Sequence, residues 1–265
     1  MSASLVQYST YTEAEPGTSV AVTLSGVTAG NFLVVCTATD TDIVSLSSLT
    51  DSNGTPQTAL AYAPQVAGNT PSAGIYFVPA AAAGTHTFTA TFSASVDCGI
   101  FAAEFSGGAT GLDVVSPLAN ASSGTAVTSA SITPTQNGDL LFGVMAAHDA
   151  PSSITWNAGS LTNISGGGFQ PYATFGWLAQ STAAAIAASG TLSSSDPWGA
   201  AIAAFKVDGA PTNPPGQFFF ADAKIPGAAL AMFMPLSWAI GRRNRRAQER
   251  QAERRVILPG NREVP

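Results

Sequence analysis

The sequence predicts an all-β protein: two tandem antiparallel β-sandwich domains, jelly-roll or immunoglobulin-like, produced by an internal duplication and followed by a C-terminal extended or helical arm. Three observations carry that prediction. Short segments alternate apolar and polar residues with a period of two, the pattern of half-buried strands. Stretches of the first hundred residues recur about one small domain later. No helical period appears before residue 225, and Gly, Pro, Asn and Asp clusters punctuate the chain at strand-length intervals.

The elements follow in chain order. Strands are expected near residues 4–9, 18–26, 31–39, 43–50, 57–63, 73–78, 85–93 and 98–106. The clearest is the run from Thr85 to Phe92, in which His86, Phe88, Ala90 and Phe92 share one face and four Thr share the other. Val20, Val22 and Leu24 alternate with Ser19, Ala21, Thr23 and Ser25 in the same way. The repeat then places a second copy. Gly30-Asn-Phe-Leu-Val-Val matches Gly138-Asp-Leu-Leu-Phe-Gly at an offset of 108, and Cys98 through Phe105 matches Trp198 through Phe205 at an offset of 100. The expected organisation is a first sandwich over 1–108, a second over 109–208, a Pro/Gly linker over 209–224 and an arm over 225–265. Many short strands without helices suit two stacked sheets per unit.

Composition narrows the function classes. Of 265 residues only 10% are charged, against roughly 25% in an average globular chain, and the formal net charge is −6. The charge is divided unevenly. Residues 1–241 hold 13 acids and two Lys, −11, whereas residues 242–265 hold eight Arg and three Glu, +5. An acidic body of this kind is a poor nucleic-acid binder, so nucleic acid is not an expected partner. Met1 to Gly17 carries Glu13 and Glu15 and lacks the basic and apolar regions of a secretory signal.

No enzyme motif appears, and catalytic residues are expected to be none. The chain has two His, and no Gly-x-Ser-x-Gly, phosphate-loop or dinucleotide fingerprint. Other candidate sites are structural or binding sites. Asp40, Asp42 and Asp51 supply hard oxygen donors near strand ends, a set suited to calcium, although solvated loop acids account for them better; no other cofactor is expected. Trp156 and Tyr172 are candidate stacking faces for a glycan. Asn53, Asn120 and Asn163 head sequons. Cys36 and Cys98, 62 residues apart, are compatible with one disulfide or with two buried thiols.

The C-terminal arm is the strongest signal for assembly. Its apolar run, residues 225–240, contains Phe233 and Trp238 and is interrupted by Pro226 and Pro235. At 16 residues it is shorter than the roughly 20 that a spanning helix needs, so a membrane span and burial against a neighbour both stand. Drawn as a helix, the following segment aligns Arg242, Arg246, Arg250 and Arg254 at i, i+4 spacing. Like charges so placed repel in an isolated helix, and the stripe calls for an anionic partner.

The frame Gly30-Asn-Phe-Leu-Val-Val, Asp51-Ser-Asn-Gly, Gly84 through Ser93 and Ala103-Glu-Phe-Ser-Gly107 resembles tandem jelly-roll-like sandwich modules of phage structural proteins and bacterial surface proteins. The resemblance covers residues 1–207 and implies a non-enzymatic surface module. The expected function is a self-assembling subunit of a virion or extracellular fibre, a homo-oligomer or polymer on a virion or extracellular surface, with the arm docking on neighbours. The alternative is a membrane-anchored cell-surface adhesin or glycan-binding module.

Overall fold

Strand follows strand because the β-forming runs are short and each ends on turn chemistry. The computed structural model describes residues 2–40, 44–62, 70–121, 123–149, 153–167 and 171–207. Every regular element among them is a strand, and every pairing is antiparallel. The first half contains β1 (Ser4–Tyr8), β2 (Thr12–Val27), β3 (Phe32–Thr39), β4 (Leu46–Asp51), β5 (Gln57–Leu60), β6 (Ser72–Val78) and β7 (Gly84–Ser106). The second half contains β8 (Ala109–Val115), β9 (Ala119–Ala121), β10 (Ala126–Thr128), β11 (Leu140–Ala147), β12 (Ile154–Trp156), β13 (Thr162–Gly167), β14 (Tyr172–Ala179), β15 (Ser189–Leu192) and β16 (Trp198–Val207).

In the first half one sheet runs β1-β7-β3-β6-β5, with β2 and β4 also paired to β7. The second half divides into β13-β14-β11-β16-β8, with β9 on β16, and β10-β15-β12. The difference lies in one strand. Sequence patterning predicts separate strands at 85–93 and 98–106, yet β7 runs unbroken for 23 residues. Nothing in Ser93-Ala-Ser-Val-Asp97 removes a donor or forces a turn. At the corresponding place in the second half stands Asp196-Pro197, and the chain there divides into β15 and β16. Proline has no N–H to give to the ladder.

Apart from that break, the registers of the two halves coincide. Phe32 faces Phe105 on β3 and β7, and Leu140 faces Phe205 on β11 and β16. Ile75 faces Cys36, and Phe175 faces Val144. Ala14 opposes Cys98, and Ala121 opposes Trp198. Irregularities coincide as well: the edge strand shifts register between Leu5 and Gln7 opposite Phe105 and Glu104, and again between Leu112 and Val114 opposite Phe205 and Ala204. A buried serine repairs the ladder in both. Ser9 donates its N–H to Ala102 O and accepts the Ala102 N–H on Oγ, while Ser116 does the same with Ile202. Gly30 and Gly138 hold φ of 83° and 86° before β3 and β11, a left-handed conformation that glycine adopts without a Cβ penalty.

Alternation along β3 explains the core. Phe32, Val34, Cys36 and Ala38 enter a central cluster that also takes Leu140, Phe142, Val144, Phe175 and Phe205 from the second half. Leu33 and Val35 point the other way, onto Val20, Val22, Leu24, Phe88 and Ile100. Along β11, Leu141 and Met145 likewise turn away from the central cluster into smaller ones with Ile202 and Val127. Both halves are buried on two sides, which is why β3, β6 and β11 read as unbroken apolar runs. All their described residues fall in one compact unit, Met1–Gln217.

Candidate functional site

Few ionisable groups are available to this fold: ten acids, two His and a single Lys among the described residues. Most of the buried ones form four constellations, each fixed by strand register.

The first surrounds Glu104, fully buried on β7. Its carboxylate accepts Nε2 of Gln7 at 2.5 Å, the N–H of Thr28 at 2.9 Å and Nδ2 of Asn31 at 2.6 Å. Three donors replace the water that burial removed, the condition for keeping a buried carboxylate. The second joins His86 and Asp51, whose side chains are both sealed from solvent. Nδ1 of His86 lies 2.6 Å from Asp51 Oδ2, and Nε2 lies 3.0 Å from the carbonyl of Ala82. A carbonyl only accepts, so Nε2 carries a hydrogen.

The third is a pair of carboxyls, Asp113 on β8 and Asp139 just before β11. Asp113 Oδ2 accepts the Thr135 N–H at 2.6 Å, and Oδ1 accepts the Thr135 hydroxyl at 2.5 Å, with Lys206 Nζ 3.6 Å from Oδ1. Burial works against the charge on Asp113, but the Thr135 bonds, the neighbouring Asp139 and Lys206 outweigh it and hold this carboxyl below its usual range. Asp139 is completely buried, and the amide beside it, Gln136 Nε2, is given to Val207 O. Burial, and then the facing Asp113, push it up to about 7, against the opposing pull of Gln136 and Lys206.

The fourth brings together His148, Asp149 and Asp196, which place one ligand atom each within 4.8 Å of one another. His148 Nδ1 is 3.2 Å from Asp149 Oδ1, and the Asp149 N–H donates to Asp196 Oδ2 at 2.9 Å. Burial and then the Asp149 charge raise Asp196, partly offset by that amide and by His148. Asp97, from the first half, is raised by burial and by Glu15, with His148 acting against them. One imidazole and two carboxylates form a donor set that can hold a divalent ion of the zinc or manganese kind. Asp196 joins it because the strand break at Pro197 turns that residue toward the end of β11.

The residues singled out in the sequence are distributed differently. Of the calcium candidates, Asp51 gives its carboxylate to His86 and to the Asn53 N–H. Asp40 is buried just after β3, donating its N–H to Asp97 O, and Asp42 lies outside the described residues. The candidate disulfide is not formed: Cys36 and Cys98 are free thiols. They sit on adjacent strands but face opposite ways, Cys36 into the central cluster and Cys98 into the first half's own core. Burial pushes Cys36 well above its ordinary range and Cys98 up to about 12. Trp156 packs over Gly176 and donates Nε1 to Thr174 Oγ1, so its indole is partly committed to the fold. Tyr172 is half-buried beside the same cluster. Among the sequons, Asn120 and Asn163 are exposed, and Asn53 donates Nδ2 to Ala83 O. Phe233, Trp238, Arg242, Arg246, Arg250 and Arg254 lie outside the described residues, as do the linker and the apolar run at 225–240.

Sequence reasoning missed the Glu104, Asp113–Asp139 and His148–Asp149–Asp196 constellations. The one signal for Glu104 was an acid inside the apolar run Ile100 to Phe105. Nothing in the spacing links Asp113 to Asp139, because a bulge and a turn create their proximity. Among the described residues no helix is long and apolar enough to cross a membrane. No family model, no characterised protein and no solved structure matches the chain.

Proposed function

We propose that the protein is a non-enzymatic structural subunit that self-assembles in a virion or extracellular fibre, its positively charged C-terminal segment docking on the acidic body of neighbouring copies. The carrying observation is the division of charge. The described body holds ten acids and one Lys, with Glu13, Glu15, Asp97 and Asp149 the acids that reach its surface, whereas residues 242–265 carry eight Arg against three Glu. At close range such opposite surfaces steer and orient association.

The architecture supports the same reading. The order β1-β7-β3-β6 across from β2-β7-β4 follows the strand sequence of a jelly roll, with β5 paired to β6, a scaffold common in capsid and lectin domains. The recurrence of its ladders, bulges and serine plugs supports an origin by duplication, with sandwiches over 1–108 and 109–208. Exposed positions on β2 and β4 are mainly Ser, Thr and Gly, surfaces with little charge to hold copies apart.

Removal of residues 225–265 tests the reading. The full chain is expected to form oligomers or polymers in light scattering and negative-stain microscopy, more weakly as salt rises. The shortened chain is expected to remain a folded β-rich monomer. An unchanged oligomeric state after the deletion refutes the docking role.

A further inference from the structure

We propose that Asp113 and Asp139 share a single proton and together form a pH-sensitive latch that fastens β8 to the start of β11. The argument begins from donor counts. Glu104, equally buried, receives three hydrogen bonds, as a carboxylate out of water must. Asp139 has only the Gln136 side-chain amide to draw on, and that amide is already bonded to Val207 O. Its neighbour Asp113 is an acceptor already provided with the Thr135 amide, the Thr135 hydroxyl and Lys206. Two charged carboxyls facing each other in a dry site repel, and one of them keeps a proton. Asp113 has the donors that favour the charge, so the proton resides on Asp139 and bonds to Asp113.

The register of the halves supports this assignment independently. Asp139 precedes β11 where Asn31 precedes β3, 108 residues earlier. Asn31 uses its amide to donate to a buried carboxylate, Glu104. Protonated Asp139 performs the same task toward Asp113. In the first half the donor is permanent; in the second it is lost on ionisation. The pair is not an acid–base catalyst, because the two side chains are 1% and 0% exposed and no substrate reaches them.

The groups around the pair are few. Asp113 faces it from β8 and Lys206 from β16, while Thr135 and Gln136 come from the turn before β11; Gln136 Nε2 is bonded to Val207 O and Gln180 N–H to Asp139 O. Lys206 is half-exposed at 49% and screens the repulsion only in part. The latch therefore loosens as pH rises. A buried acid with its folded-state pKa near 7 and an unfolded value near 3.8 binds a proton that the unfolded chain has already released. Stability is thus highest below about pH 4 as far as this group is concerned, falls between 4 and 7, and levels off beyond.

The test is Asp139→Asn in the full chain, which installs the residue the first half carries. The wild-type melting temperature is expected to fall from pH 5 to pH 8, and the variant to lose most of that fall. Subtracting the two profiles removes whatever pH dependence the two proteins have in common. Hydrogen exchange supplies a local readout: β8 and the Phe205–Val207 amides of the wild type are expected to lose about tenfold in protection between pH 6 and pH 8, with little change in the variant. Equal pH dependence in both proteins overturns the proposal. Should the variant not fold, the assigned Asp139 carboxyl carbon in the wild type decides. Titration near neutrality supports the latch, and titration below pH 5 overturns it.

Discussion

A single buried acid illustrates how this chain handles charge with almost no bases. Glu104 stands between apolar neighbours on β7, and its carboxylate ties β1 through Gln7 to the turn at Thr28 and Asn31. Glu104→Ala would take the acceptor from three part-buried hydrogen bonds, leaving Gln7 Nε2 only Ser25 O, at a cost on the order of 1–3 kcal/mol each before relaxation. Urea unfolding is expected to register a loss of at least about 3 kcal/mol, and Glu104→Gln a smaller one because one oxygen remains. A midpoint unchanged in Glu104→Ala would mean that the carboxylate is dispensable. At this scale the sequence revealed little. His86 was legible as an inward-facing residue because it alternates with Phe88, yet its partner Asp51 read as a calcium donor. Asp113 carried no local signal at all. Side-chain partners 35 or 26 positions apart, as with His86–Asp51 and Asp113–Asp139, are set by which strands pair, and no local pattern encodes that.

Elements were far more legible, because a strand buried on one face alternates and a strand buried on two faces is uniformly apolar. The boundaries of β1, β3 and β6 fall within a residue or two of the runs that predict them. What escaped was continuity: β7 crosses the span where an interruption is expected, and only its counterpart with Pro197 divides. Glycine marks a second property of these strands, close approach. A Cβ at Gly99 would overlap the ring of Tyr11, whose hydroxyl donates to Pro171 O in the second half. At the corresponding Gly199 a Cβ would meet the Pro71 carbonyl at 2.8 Å. Thus equivalent glycines on β7 and β16 each lie beneath a contact with the other half. Gly99→Ala is expected to displace Tyr11 and lower stability by about 1–3 kcal/mol, the usual cost of overpacking. Gly111→Ala on β8, where nothing lies within 4 Å of the new methyl, serves as the control and is expected to be neutral. Equal melting temperatures for the two variants would show that the Tyr11 contact carries no weight.

For the whole molecule the likeness of the two halves was legible in the sequence, but its spatial consequence was not. Two sandwiches in tandem suggest separate cores, whereas the largest aromatic cluster is assembled from both halves. Phe101 stacks on Phe175 with centroids 4.3 Å apart, and Phe32 meets Phe205 at 4.9 Å. The connection between halves is only Gly107-Gly108, both with positive φ, so β8 begins almost as β7 ends. The contacts around it are reciprocal in kind: Tyr11 reaches Pro171 while Gly199 lies against Pro71, as in the isologous interface of a two-fold dimer. An apolar face of that kind is poorly tolerated in water when uncovered. It follows that the covalent link is less important than the buried surface. Fragments 1–107 and 108–265 produced together are expected to copurify as one complex with the β-rich circular dichroism of the intact chain. Fragment 1–107 produced alone is expected to aggregate or pair with itself through the face that carries Phe32, Phe101 and Phe105. Recovery of that fragment as a folded, soluble monomer would refute the shared core as the element that holds the halves together.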